Sequence, residues 1–284
     1  MAKLTYGLIG HPVGHSLSPA MQNAAFAALK IDAEYKLFDV EPADLQQSLN
    51  DLVKNNIAGV NVTIPYKVKA KDFIAANGVL NEHAERLGAV NTIKIVGGKL
   101  VGFNTDGPGF YRSLVEDLKF EPEGKNIFVL GAGGAARAIV MYLGNGPKEI
   151  FVTDIDDCMV EELRRHFEKY YDHRRFKAVY KNNFKESLDS SDLLVQATPL
   201  GMHDDDPSPV DPELLHSGLR IYDLVYNRPA TKLVEEASRM KLHAMTGLGM
   251  LLYQGAIAFE LWTAKKAPIE VMRKALKEAL KDHG

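Results

Sequence analysis

Cysteine is almost absent: Cys158 is the only one in 284 residues. A single thiol excludes an intrachain disulfide framework and suits a reducing, cytoplasmic setting. Charge of neither sign is in excess. With 34 Lys and Arg against 37 Asp and Glu, the formal net charge is −3, which gives no long-range pull toward nucleic acid or an anionic membrane, and neither is expected as a partner. No uninterrupted apolar run reaches the ~18 residues of a transmembrane candidate. Met1-Ala2-Lys3 leads directly into a strand-like segment, so no signal peptide is expected. Low-complexity stretches and solenoid periods are also missing. What remains is an ordinary globular composition, 46% hydrophobic and 25% charged, in a chain long enough for one large domain or two ordinary ones.

The stretch from Ile127 to Leu143 organises the rest. Ile127-Phe128-Val129-Leu130 is the kind of short apolar run that forms a buried parallel strand. Gly131-Ala132-Gly133-Gly134-Ala135-Ala136 follows at once, and Arg137 to Leu143 reads as an apolar helix. Strand, glycine turn and helix in that order open a dinucleotide-binding βαβ unit. Gly131 allows the tight turn, Gly133 lets a pyrophosphate approach the backbone, and the helix N-terminus offers free N–H groups to phosphate. A second strand, Glu149 to Thr153, ends at Asp154. That carboxylate lies about 20 residues past the first glycine, where it can accept from an adenosine ribose.

Strand-like and helix-like segments alternate on both sides of this unit, which predicts parallel sheets covered on both faces. The glycine turn comes too late for a chain made of one nucleotide-binding unit. The expected architecture is therefore α/β with two domains. An N-terminal α/β substrate domain (residues 1–106) precedes a doubly wound, Rossmann-type dinucleotide domain (107–246), and two terminal helices (within 247–284) return to the first. Gly97-Gly98 between two apolar runs predicts a hairpin. Ser18, followed by Pro19, predicts an N-cap. Tyr171 to Lys181 reads as a polar, basic stretch that ends at a turn.

Polar residues gather in the first half where strands should end. Ser16 and Ser18 lie in the first strand-to-helix loop, Asn61, Thr63 and Lys67 surround another strand end, Asn91-Thr92 interrupts an apolar run, and Asn104-Thr105-Asp106 ends one. Side chains at the carboxyl ends of parallel strands converge on one crevice. Hydroxyls, amides, an ammonium and a carboxylate there suit a small polyhydroxylated substrate bearing an acid group. Taken singly, each has an ordinary structural use: Ser18 as a cap, Lys67 as a solvated lysine, Asp106 as a turn residue before Gly107. His11 and His15 lack partnered carboxylates or thiols at ligand spacing, and no metal is expected.

Together the motifs resemble the shikimate dehydrogenase family. The resemblance runs through Gly10-x-Pro12-x-x-His15-Ser16-x-Ser18-Pro19, Asn61-Val62-Thr63-x-Pro65-x-Lys67, Gly88-Ala89-Val90-Asn91-Thr92 and Gly102-x-Asn104-Thr105-Asp106. It continues through Gly131–Ala138, Ala197-Thr198-Pro199-Leu200-Gly201-Met202, Asp223-Leu224-Val225-Tyr226, Gly247-Leu248-Gly249-Met250-Leu251 and Gln254. The family's activity would be reversible reduction of 3-dehydroshikimate to shikimate with a nicotinamide cofactor, or the parallel reaction on quinate. The resemblance casts Ser16 and Ser18 as holders of the substrate carboxylate. Thr63, Asn91, Asp106, Tyr226 and Gln254 would bind ring hydroxyls and the acid group, and Lys67 would be the catalytic base or acid, with Asp106 orienting it. Gly131, Ala132, Gly133, Gly134, Ala135, Asp154, Thr198, Leu224 and Gly247 would meet the cofactor. Hydride leaving an alcohol carbon requires the hydroxyl proton to leave as well. Lys67 could shuttle that proton, or stay charged and stabilise a developing alkoxide.

One departure bears on the cofactor. NADP-using members of the family usually carry Asn-Arg-Ser/Thr at the end of the second nucleotide-domain strand, whereas this chain has Asp154-Ile155-Asp156-Asp157. Carboxylates there should repel a 2′-phosphate, and Asp154 can accept from a free 2′-hydroxyl. The expectation is NAD favoured over NADP, with quinate as a further substrate by family analogy, in a monomer or homodimer. The competing expectation is a sensor of nicotinamide nucleotide or pathway metabolites on the same scaffold, without turnover.

Overall fold

Two glycines that break an apolar run set the character of the first sheet. The computed structural model describes residues 3–283. The chain divides into two compact units, one running up to Gly109 and resuming at Leu252–His283, the other Phe110–Leu251. Both divisions fall inside helices.

In the first unit the elements run β1 (Leu4–Gly10), α1 (Ser18–Ala28), β2 (Ala33–Asp39), α2 (Leu45–Asp51), β3 (Ile57–Val62), α3 (Lys67–Asn77), β4 (Val79–Leu80), α4 (Glu82–Leu87), β5 (Thr92–Val96) and β6 (Lys99–Phe103). The strands pair in the order β2-β1-β3-β5-β6-β4. This sheet is mixed rather than parallel. Gly97 and Gly98, at φ of +56° and +77°, close a tight hairpin, so β5 runs antiparallel to both β3 and β6. One face buries Val60, Val62 and Ile93 beneath Leu49, Tyr66 and Ile74. The other is aromatic: Tyr6 stacks on Phe26 at 5.1 Å and meets Trp262 at the same distance.

The second unit begins within α5 (Asp106–Glu116) and continues β7 (Asn126–Leu130), α6 (Gly134–Leu143), β8 (Glu149–Thr153), α7 (Asp157–Phe167), β9 (Phe176–Ala178), α8 (Phe184–Asp189), β10 (Leu193–Gln196), β11 (Arg220–Asp223), α9 (Lys232–Arg239) and β12 (Ala244–Thr246). Its six strands are all parallel, in the order β12-β11-β10-β7-β8-β9. That is the doubly wound dinucleotide-binding order, reversing between β7 and β10. Phe128, Leu194 and Ile221 fill one face with Leu188 and Leu233. The helices α10 (Leu248–Thr263) and α11 (Ile269–His283) end the chain, and α11 packs on α1 in the first unit. Among the described residues no helix is long and apolar enough to cross a membrane.

One local expectation is corrected. Ser18 is not the cap of α1 but its first helical residue. Leu17 holds the cap position without a side-chain bond, and the Ser18 amide donates instead to Ser16 Oγ at 3.2 Å. Within the basic stretch from Tyr171, Phe176 inserts into the core and carries β9 onto the edge of β8.

Candidate active site

Loops leaving β1, β3 and β6 at their carboxyl ends carry most of the polar side chains of the first unit. Asn91 arrives from the opposite direction. It stands immediately before β5, and because that strand is antiparallel its amino end lies beside the carboxyl ends of β3 and β6. The reversal of one strand thus adds an amide that a purely parallel sheet would have placed at the far edge.

Lys67, the first residue of α3, donates from Nζ to Asp106 Oδ2 at 2.8 Å. Asp106, the first residue of α5, is buried, and the Lys67 side chain retains 20% exposure. An ammonium that keeps one open side while its other side is fixed by a carboxylate is oriented but still reachable. The second carboxylate oxygen of Asp106 accepts from Asn91 Nδ2 at 2.9 Å, and the Asp106 backbone amide donates to Asn104 Oδ1 at 3.0 Å. Asn91 Oδ1 accepts from the Thr105 amide at 2.7 Å and from the Thr92 hydroxyl at 3.0 Å. Thr105 Oγ1 lies 3.5 Å from Gln254 Oε1 on α10. Lys67, Asn91, Thr105, Asp106 and Gln254 are therefore one hydrogen-bonded group, drawn from the starts of α3 and α5, the residues just before them or before β5, and α10.

Ser16 is half-buried and is engaged by the Ser18 amide, while Ser18 itself is buried. Thr63 is half-buried, its amide bonded to Ile9 O and its carbonyl to the Tyr66 amide, each at 2.9 Å. Tyr226, half-buried, belongs to the second unit, whereas the other expected substrate contacts belong to the first. Asn61 and Thr92, present in the motifs but given no role there, and Tyr35, which no motif contains, extend the group. Asn61 bonds Thr92 Oγ1 at 2.9 Å, and Tyr35 bonds Asn61 Oδ1 at 2.8 Å. The signal available for them was the burial that strand alternation implies, which says nothing about where a hydroxyl points.

The expected cofactor residues of the second unit also sit just past strand ends. Gly131 to Ala135 follow β7, Asp154 follows β8, Thr198 follows β10, Leu224 follows β11 and Gly247 follows β12. Gly131 has φ of +107°, and a Cβ there would stand 2.9 Å from Ala197 O, so conformation and space both demand glycine. Gly133 and Gly134 differ: a Cβ on either would meet no atom within 4 Å. The fold does not need those glycines, but a group approaching the turn from outside would. Gly133 caps α6. The amides of Gly134, Ala135 and Ala136, ahead of the first helical bond from Arg137 to Gly133 O, have no acceptor within the helix. An open glycine face and free amides at a helix N-terminus fit a pyrophosphate.

Asp154 has a structural task besides any contact with ribose. Its Oδ2 accepts from the Ala132 amide at 2.7 Å and its Oδ1 from the Asp156 amide at 3.1 Å, which ties the glycine turn to β8. A carboxylate has about four lone-pair sites, so two remain. Ile155 beside it is fully exposed, and Asp156 caps α7 through the Cys158 amide at 2.9 Å.

A doubly wound unit with an anion-binding turn, joined in one chain to a unit presenting an oriented ammonium among amides and hydroxyls, defines a nicotinamide-dependent oxidoreductase acting on an alcohol or carbonyl group. Comparison with known proteins narrows this. Residues 8–93 match the family model described as the shikimate dehydrogenase substrate binding domain, and residues 247–277 that of the shikimate 5′-dehydrogenase C-terminal domain. The chain is similar to the shikimate dehydrogenase (NADP(+)) of Methanopyrus kandleri, 45% identical over 97% of this chain and 95% of the relative. It resembles the crystal structure of shikimate 5-dehydrogenase from Thermus thermophilus in complex with NADP(H) and shikimate, with a TM-score of 0.85 and 36% identity over 97% and 99% of the two chains. Quinate dehydrogenase from Corynebacterium glutamicum in complex with NAD aligns with a TM-score of 0.89 at 27% identity, over 97% and 99%. The chain belongs to the shikimate dehydrogenase family.

Proposed function

We propose that this protein catalyses the reversible oxidation of shikimate to 3-dehydroshikimate with a nicotinamide nucleotide, NAD in preference to NADP, and that quinate is a second substrate. The observation that carries the reading is the 2.8 Å pair of Lys67 Nζ and Asp106 Oδ2, held by Asn91 on its other side. In this reading residues 1–106 with the terminal helices bind the substrate and the segment between them binds the nucleotide. When bound, the nicotinamide ring supplies hydride acceptance and donation.

Everything else falls to the chain. Ser16 and Ser18 hold the substrate carboxylate by hydrogen bonds, while Thr63, Asn91, Tyr226 and Gln254 fix the ring hydroxyls. In the reductive direction the Lys67 ammonium donates a proton to the carbonyl oxygen as the alcohol forms, and Asp106 keeps Nζ aimed during the transfer. In the oxidative direction the same nitrogen receives the hydroxyl proton. Asp106 offers a second acceptor to a substrate hydroxyl, so one carboxylate orients both partners.

The preference for NAD is supported by Asp154, Asp156 and Asp157 after β8, with Ile155 rather than a cation among them. These carboxylates disfavour a dianionic 2′-phosphate and leave Asp154 able to accept from a hydroxyl. Several relatives carry NADP(+) in their names, and the preference for NAD in this chain rests on this stretch alone. Initial rates with shikimate and quinate, each against NAD+ and NADP+, test the proposal. Shikimate turnover with kcat/KM at least about tenfold higher for NAD+ is expected. A tenfold preference for NADP+ would overturn the cofactor assignment, and silence in all four combinations would overturn the activity.

A further inference from the structure

Tyr35 lies on β2, at the edge of the mixed sheet and outside every motif that marks the family. Its side chain is buried, and its hydroxyl reaches past β1 to Asn61 on β3. Backbone donors and acceptors fix the orientation of both amides along the buried polar chain, and only the Thr92 and Thr105 hydroxyls can exchange donor roles. The Thr105 amide can only donate, so Asn91 Oδ1 must face it at 2.7 Å, which turns Asn91 Nδ2 to Asp106 Oδ1 at 2.9 Å. The Asn91 carbonyl can only accept, so Asn61 Nδ2 must face it at 3.1 Å, which turns Asn61 Oδ1 to Tyr35 and makes the phenol the donor at 2.8 Å. Thr92 accepts from Asn61 Nδ2 at 2.9 Å and passes its own proton to Asn91 Oδ1 at 3.0 Å.

We propose that Tyr35 is a positioning residue: through Asn61, Thr92 and Asn91 it helps fix the orientation of Asp106, and with it Lys67 Nζ. The phenol is the outer end of the chain, three side chains away from the ion pair. Burial pushes its ionisation well above the ordinary tyrosine range, so it stays a fixed donor throughout turnover. Without that hydrogen, Asn61 Oδ1 faces an apolar ring edge. The amide is then held only through Nδ2, by the Asn91 carbonyl and Thr92 Oγ1, and its oxygen is left buried without a donor, which loosens the chain at its outer end.

The inference rests on the shikimate dehydrogenase activity proposed above, and its test separates the two. Tyr35→Phe is expected to lower kcat for shikimate about tenfold, while KM and the calorimetric Kd for shikimate stay within about twofold. Thr92→Val, which cuts the same chain in the middle without touching Tyr35, is expected to do the same. In the double variant the losses should not multiply, because the second cut falls on a chain already broken. A general packing role for Tyr35 would instead give multiplying losses or a shared loss of KM and thermal midpoint. Wild-type kcat in Tyr35→Phe, or losses that multiply, overturns the proposal. Should Tyr35→Phe not fold, Thr92→Val decides alone, with unchanged kcat overturning the proposal. A wild-type protein silent with shikimate and either nucleotide overturns the activity and this inference together, whereas an active wild type with unaffected variants overturns only this inference.

Discussion

In the first unit the groups near the ends of β3 and β6 are side chains, buried and bonded to one another: Asn61, Asn91, Thr92, Asp106 and Lys67. In the second they are mostly backbone: the turn at Gly131, the open faces of Gly133 and Gly134, and the free amides opening α6. A site built on side chains is broken by exchanging one functional group for a near-isostere. A site built on backbone is broken by adding bulk or changing a dihedral angle. Each unit also has a buried carboxylate, and the contrast recurs there. Asp106 faces an ammonium and an amide, whereas Asp223 faces the Thr231 hydroxyl at 2.7 Å and the Val225 amide at 3.0 Å.

Replacing Asp106 by asparagine exposes the first half of this contrast most strongly. Asparagine has one acceptor atom where Asp106 uses two, so whichever way its amide turns, a donor faces either Lys67 or Asn91. A loss of kcat of about 100-fold or more is expected with shikimate. Steady-state kinetics check it, and a kcat within a factor of three of wild type would break the side-chain half of the comparison.

Asp223→Asn should act on stability alone, and in a pH-dependent way. Burial pushes the Asp223 carboxyl up to about 6, so the folded state binds its proton more tightly than the unfolded chain does. The resulting stabilisation is complete below about pH 4 and is lost as pH rises through about 6. Denaturant titrations at pH 4 and pH 7 should show the wild type losing on the order of 2–3 kcal/mol relative to Asp223→Asn. A parallel pH profile for the two proteins would contradict the assignment.

Gly133→Ala probes the backbone half. Nothing in the protein stands where its Cβ would be, so the thermal midpoint should barely move while the cofactor KM rises about tenfold. Gly131→Ala, strained by its positive φ and by Ala197 O, should lower both affinity and midpoint. Equal midpoint losses at the two positions would erase the distinction. Asp154→Asn keeps an acceptor for the Ala132 amide but removes the charge. It should reduce the ratio of kcat/KM for NAD+ over NADP+ by roughly tenfold, the smallest of these effects.

The same division explains what the sequence disclosed. Backbone devices leave residue signatures, because few residues other than glycine adopt the φ of Gly131, Gly97 or Gly98, and so the turn, the hairpin and the doubly wound unit were legible. Side-chain devices were legible only by type. Lys67, Asn91 and Asp106 could be named as candidates, but their mutual contact depends on β5 running antiparallel, which follows from the hairpin only once pairing to β3 is known. β4 and β9, two and three residues long, were missed because no periodicity can show in so short a segment. The cap of α1 was misplaced by one residue, and the side chain that accepts from the start of the helix is Ser16 rather than Ser18, a choice between two like acceptors that only the loop's geometry makes. Tyr35 left no signal, since a buried tyrosine and a buried phenylalanine satisfy the same strand pattern.

The proton-transfer role of Lys67 is tested most directly by the Lys67→Ala variant, with kcat for shikimate oxidation and the shikimate dissociation constant measured on the same preparation. Turnover falling by about 10³-fold, with the dissociation constant within about threefold of wild type, is the expected result. A dissociation constant that weakens in step with the rate, or a rate that survives the loss of the ammonium, would contradict it.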